Sequence, residues 1–212
     1  ILDEINGAPF IVEKVQKKTV RKNPAPPFTT SKLQQESIRK LRFTAKKTMM
    51  LAQQLYEGID LGPGEPVGLI TYMRTDSVRI AEVAAAEAQE LIRERFGNQF
   101  ALEKPRYFKN PKQSQDAHEA VRPTSVFNTP EKVAPHISAD QLALYQLIWQ
   151  RFVASQMPEA LIDQVTASVK AGSYLFTATG SAVKFAGFMT LYRAEEEDGN
   201  GDKAHPTQKP EA

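Results

Sequence analysis

The stretch Gly68-Leu-Ile-Thr-Tyr-Met-Arg-Thr-Asp-Ser77 sets a tyrosine two residues before an arginine, at the end of a short apolar run. Leu69 to Tyr72 has the β-branched and aromatic content of a short buried strand. Asp76 or Ser77 can then cap a helix carrying Ile80, Val83, Ala84, Ala88, Leu91 and Ile92 as far as Gly97. On this reading Tyr72 through Thr75 lie in a strand-to-helix junction, where the free amides of a helix start favour an anion. A tyrosine phenol has a pKa of about 10, so it serves as a nucleophile only with help, and a nearby cation supplies it. Arg74 is close enough in sequence, and its planar fork suits phosphate. The plain alternative is a packing tyrosine, a surface arginine and a helix cap.

The flanks of this stretch predict an α+β chain, with a helical block set between strands. From Pro9 to Arg21, Phe10, Val12 and Val15 alternate among charges, as in a strand with one wet face, and Asn23-Pro-Ala-Pro-Pro27 ends it. Ser31 boxed with Gln34 predicts a helix over 31–41, and Thr44 caps another in which Ala45, Met49, Ala52, Leu55 and Ile59 recur. Joined by Arg42-Phe-Thr44, the two read as a tight helix–turn–helix. The segment Gly58 to Gly68 is rich in Gly and Pro and reads as a loop. A further helix runs from Ser138, boxed with Gln141, to Gln156. Beyond Pro158 the pattern turns to strands around Val165–Val169, Tyr174–Thr179 and Val183–Leu191. This is a β-rich unit interrupted by a mainly helical insertion.

Composition excludes several function classes. The 212 residues are 41% hydrophobic and 25% charged, with no run long enough for a membrane span, as expected of a water-soluble, cytoplasmic chain. There is no cysteine, which removes disulfides, thiolate metal sites and cysteine nucleophiles. The formal net charge is only +2, but eleven Lys and Arg crowd residues 14–47 while Glu195, Glu196, Glu197 and Asp198 gather near the end. The basic part is a candidate nucleic-acid surface, or else a solvated helix face. Residues 193–212 read as a polar, disordered tail, and the initial Ile in place of Met suggests a piece of a longer protein.

A second constellation lies at Ser114-Gln-Asp-Ala-His-Glu-Ala-Val-Arg-Pro123. If helical, it sets His118 and Arg122 on one face at i, i+4, a donor and a cation suited to phosphate. A short capped helix with solvated charges fits the same residues. His136 and His205 have no comparable company, and no pattern here argues for a bound metal.

Four segments taken together carry a family resemblance. They are Pro27-Phe-Thr-Thr-Ser-Lys-Leu-Gln-Gln35, Lys47-Thr-Met-Met-Leu-Ala-Gln-Gln-Leu-Tyr-Glu57, Thr71-Tyr-Met-Arg-Thr-Asp-Ser77 and Gln115-Asp-Ala-His-Glu-Ala-Val-Arg-Pro123. In content, order and spacing, over residues 9 to 192, they resemble the bacterial type IA DNA topoisomerases. The resemblance implies that Tyr72 attacks a DNA phosphodiester to give a 5′-phosphotyrosine, that Arg74 contacts the scissile phosphate and that His118 assists cleavage and rejoining. Arg122 would support the same site, and Thr71, Asp76 and Ser77 would be supporting or DNA-contacting positions. The implied substrate is single-stranded and negatively supercoiled DNA, relaxed without ATP in the bacterial cytoplasm at the nucleoid. The implied Mg2+ is held by a Toprim domain of the same polypeptide. No Asp-x-Asp-x-Glu occurs in this chain, nor any Cys-rich zinc module, so the resemblance implies a catalytically incomplete fragment. It also implies that 28–158 is the helical domain bearing the tyrosine and that 1–27 and 159–192 are parts of a β-rich arch. The competing reading is a DNA-binding module without chemistry, docking through residues 31–57.

Overall fold

The computed structural model describes residues 5–110 and 118–192. The tail expected over 193–212 and the start of the His118 motif lie outside the described residues. The chain is α+β, with a helical body between one strand at its start and two near its end. Strand β1 (Phe10–Lys22) leads to helix α1 (Thr30–Glu36), a π-helical turn (Ser37–Leu41) and α2 (Ala45–Glu57). Then come α3 (Glu82–Phe96), the short α4 (Pro130–Val133) and the long α5 (Ala139–Ser155), followed by β2 (Ala160–Ala171) and β3 (Tyr174–Phe185). The three strands form one antiparallel sheet in the order β1-β2-β3.

Hydrophobic spacing explains the helical body. α5 carries Leu144, Tyr145, Ile148, Trp149 and Phe152 on successive turns, and these bury against Phe28, Leu33, Leu55 and Ile92 from the other elements. The expected Ser138–Gln141 capping box is present, each residue accepting from the other's backbone amide at 3.2 and 2.9 Å. α2 starts at Thr44 as expected, whereas α1 is capped by Thr29, two residues before the Ser31 that the sequence suggested. Thr30 and Ser31 are thus already helical, and Ser31 has no cap to make. Arg42 closes the turn between π-helix and α2 in the left-handed conformation, φ 60°.

The sheet differs from expectation in two ways. β1 and β3 are exposed along nearly their whole length, on both faces rather than one. β3 continues through Gly180 to Phe185 where a break was expected, because Thr177 to Ser181 stay paired with β2 throughout. The chain beyond it, expected to be strand up to Leu191, forms a 3-10 turn over Gly187–Thr190. Gly187, at φ +48°, is required there: a Cβ would lie 2.4 Å from the Glu159 carbonyl oxygen.

Where the chain passes between sheet and helices, it is fastened by a buried polar cluster. Arg151 of α5 donates Nε to the Pro26 carbonyl at 2.6 Å and Nη1 to the Tyr192 hydroxyl at 3.3 Å, and that hydroxyl donates to Glu36 at 2.8 Å. Burial pushes the Tyr192 phenol well above its ordinary value. The guanidinium also lies over the Phe28 ring at 4.9 Å.

The decisive departure concerns residues 69–81. Leu69–Tyr72 is extended but joins no sheet. Its amides and carbonyls pair instead with the end of α2 and with residues 122–124: Leu69 N–H to the Leu55 carbonyl at 2.7 Å, Thr71 N–H to the Arg122 carbonyl at 2.9 Å, Thr124 N–H to the Leu69 carbonyl at 3.0 Å. Ile70 bridges Pro123, which has no N–H with which to prolong the ladder. α3 begins only at Glu82, with Ala81 as its cap, so Asp76 and Ser77 cap no helix. Ser77 instead gives its hydroxyl to Asn110 at 3.2 Å and accepts the Arg79 amide at 3.1 Å.

Gly68 sets how closely this segment approaches α2, since a Cβ there would stand 2.7 Å from the Tyr56 carbonyl oxygen. Gly68→Ala therefore forces helix and segment apart, and we expect a loss of roughly 1–3 kcal/mol in unfolding free energy. Urea denaturation of both proteins measures this; a loss under ~0.5 kcal/mol would mean that the contact yields freely.

Candidate active site

Extended backbone points successive side chains to opposite sides. From 72 to 77 burial alternates strictly: Tyr72, Arg74 and Asp76 are exposed, while Met73, Thr75 and Ser77 are buried. That alternation is the physical reason for a tyrosine and an arginine two residues apart. The chain bends at Met73, whose buried side chain anchors the strip between two exposed neighbours.

Two threonines hold the strip. The Thr71 hydroxyl donates to the Ala120 carbonyl at 2.6 Å and accepts the Arg122 amide at 3.0 Å. From the other side, the Thr30 hydroxyl accepts the Thr75 amide at 2.8 Å and lies 2.7 Å from the Met73 carbonyl oxygen.

Residues 118–123 are not a helix. Val121 pairs with Phe28 and Pro123 with Ile70, so the segment runs extended between two others, and His118 and Arg122 do not share a helical face. His118 still reaches the tyrosine: it is exposed, and its ring centroid lies 6.0 Å from that of Tyr72. Tyr56, at the end of α2, meets Tyr72 edge-on from another side at 5.4 Å. Tyr72 is 39% exposed, enough to leave its hydroxyl open to a partner. Arg74 has no hydrogen bond or ion pair among the described residues and so remains free to meet an anion.

Arg122 faces elsewhere. It is buried, donating Nε to Glu119 at 2.7 Å and Nη1 to the Pro123 carbonyl at 2.7 Å, so it braces the segment from within. Ser77 is likewise buried and internally bonded, whereas Asp76 is exposed beside Arg74. The structure thus brings Tyr72, Arg74, Asp76 and His118 to the surface together and keeps Thr71, Ser77 and Arg122 as internal supports. Tyr56, Thr30 and Asn110 were not singled out by the sequence, although the first two lie inside its quoted motifs, as does Glu119.

The early basic run does not form one surface. By strand alternation Lys14, Lys18 and Lys22 share one face of β1, and Lys17 and Arg21 the other. Arg21 pairs with Glu159 and Lys47 with Asp140, each at 2.7 Å. Among the described residues no group of three or more His, Cys, Asp or Glu is placed to hold a metal ion. No helix among them is long and apolar enough to cross a membrane.

The surface here thus presents a phenol, a guanidinium and an imidazole, with the Tyr72 and His118 rings in contact. A family model described as DNA topoisomerase matches residues 1–211, and the chain belongs to that family. Its structure is similar to that of full-length topoisomerase I from Thermotoga maritima in a monoclinic crystal form, with a TM-score of 0.77 and 38% sequence identity. The match covers 93% of this chain and 32% of that one, so the chain spans about a third of the length of the protein it resembles.

Glu119 offers a test of the support beneath His118. Burial alone would push its carboxyl up. The Arg122 guanidinium, the Ala81 amide and the charge of Arg79 outweigh this and hold it below the ordinary value. A depressed carboxyl stabilises the fold above its unfolded value, and the contribution disappears as pH falls through the folded one. Glu119→Gln should therefore cost stability by a constant amount above about pH 6 and progressively less below about pH 4.3. Denaturation midpoints of both proteins across that range check it; a difference that stays flat into acid would contradict it.

Proposed function

We propose that this chain carries the tyrosine-bearing half of a DNA strand-transfer site of the type IA kind, within a longer polypeptide. The observation that supports it most is the shared exposed face of Tyr72 and Arg74 with His118 beside it. In this reading the Tyr72 oxygen bonds to a backbone phosphorus as the bond from phosphorus to the 3′ oxygen breaks. The phenol gives up its proton and the departing 3′ oxygen gains one, with His118 placed to carry it. The products are a 5′-phosphotyrosine and a free 3′-hydroxyl, and religation is the reverse. One phosphodiester replaces another, so no ATP is needed, and supercoil strain gives the direction. Arg74 balances charge that builds on the phosphoryl oxygens.

Residues 28–158 then form the helical domain that carries the nucleophile, and 1–27 with 159–192 belong to the arch on which it swings. Asp76, which is exposed, is assigned to DNA flanking the scissile phosphate, while Thr71, Ser77 and Arg122 act by holding the strip. The magnesium-binding acids of a Toprim domain are assigned to the rest of the longer protein, and the chain alone is expected not to cleave DNA. Single-stranded and negatively supercoiled DNA is the proposed substrate, encountered in the cytoplasm at the nucleoid.

Tyr72→Phe in the full-length protein should abolish covalent capture of a labelled single-stranded oligonucleotide; capture that persists would make the chain a binding module instead. Arg74→Ala should slow cleavage by about 2–4 kcal/mol of transition-state stabilisation, the usual loss of one donor at developing charge. A change below ~0.5 kcal/mol in single-turnover cleavage would remove Arg74 from the reaction. Binding of the oligonucleotide should weaken steeply from low to high salt, as phosphate contacts require.

A further inference from the structure

We infer that Thr30 is a positioning residue for the nucleophile strip, an inference that rests on the reading of Tyr72 as nucleophile. Thr30 is the first residue of α1, where helix geometry leaves the backbone N–H without an internal partner. That N–H donates to the Thr75 carbonyl at 2.9 Å. The hydroxyl accepts the Thr75 N–H at 2.8 Å and stands 2.7 Å from the Met73 carbonyl oxygen and 3.0 Å from that of Thr75. A hydroxyl has one proton and two lone pairs, so one side chain both gives to and takes from this strip.

These contacts fall on the two residues that flank Arg74. With no hydrogen bond or ion pair of its own among the described residues, Arg74 is aimed by the backbone on either side of it. Thr30 fixes that backbone, and with it the offset between Arg74 and Tyr72. Two residues earlier, the Phe28 carbonyl accepts the Val121 N–H at 2.8 Å, three residues beyond His118. The short run 28–30 therefore touches both segments of the site, and one staple sets tyrosine and arginine against histidine. Phe28 is fully buried beneath Arg151, so the staple is itself anchored in the core.

Thr30→Val keeps the shape and removes the hydroxyl, leaving the Thr75 amide without its side-chain acceptor. In the full-length protein we expect single-turnover cleavage of a labelled single-stranded oligonucleotide to fall ~10- to 100-fold while its Kd changes less than ~2-fold, the pattern of a misplaced rather than a lost group. Thr30→Ser should restore the rate to within ~3-fold of wild type. In an Arg74→Ala background the effect of Thr30→Val should largely vanish, because the residue it aims is gone. If Thr30→Val does not fold, Thr30→Ala serves in the same cycle. A valine variant as fast as wild type, a serine variant as slow as valine, or an undiminished effect without Arg74 would each overturn the inference. Tyr72→Phe is assayed alongside: if it still captures DNA, the reading of the nucleophile fails, whereas loss of capture with a normal Thr30→Val rate removes only the role of Thr30.

Discussion

Residues 69–77 thread a body built of helices without joining a helix or a sheet strand, and a backbone in that setting has no ladder of its own to satisfy its polar groups. Each buried N–H and carbonyl must find a partner elsewhere or cost about 1–3 kcal/mol. Here the partners are the last turn of α2, the segment 122–124, and the hydroxyl and amide of Thr30, while the Thr71 hydroxyl ties the strip in turn to the backbone of Ala120 and Arg122. This requirement gathers three remote pieces of chain around one strip. The site is a by-product of satisfying it: the face of the strip that is not tied down carries Tyr72, Arg74 and Asp76.

The same constraint divides the polar residues by role. Thr71, Ser77, Asn110 and the Glu119–Arg122 pair are turned inward and hold backbone, while Arg74 and His118 stay at the surface. Arg122 is buried with its guanidinium bonded to Glu119 and the Pro123 carbonyl, whereas Arg74 is exposed, so the two arginines are not interchangeable. Rigid support beneath an exposed strip suits a group that must meet a phosphate in one orientation. The sheet presents a contrast, with β1 and β3 exposed on both faces and joined to the body at the buried cluster of Arg151, Tyr192 and Glu36.

Much of this was legible in the residues. The α+β character followed from a change of period at Pro158, and the helices over 45–57 and 139–155 from caps and apolar spacing that tertiary packing had no reason to oppose. The tyrosine–arginine spacing and the four motifs, taken with the family match, pointed to DNA topoisomerase chemistry. Local signals misled where a side chain found a more distant partner. Ser77 has the composition of a helix cap, but Asn110, 33 residues away, takes its hydroxyl, and α3 starts five residues later. His118 and Arg122 have helical spacing, but bridges to Phe28 and Ile70 pull their segment straight.

The sequence by itself determined which chemistry was on offer: a phenol, a guanidinium and an imidazole in motifs of a recognisable family, with no thiol. Tertiary structure alone decided how they meet. Long-range hydrogen bonds rather than any local propensity buried Met73 and Thr75 and left Tyr72 and Arg74 at the surface. Extended pairing, instead of a helical turn, delivered His118 to within 6.0 Å of the tyrosine ring and turned Arg122 inward. Local patterns report what a segment prefers alone, whereas the partners of buried backbone groups are fixed only when the whole chain has folded around them.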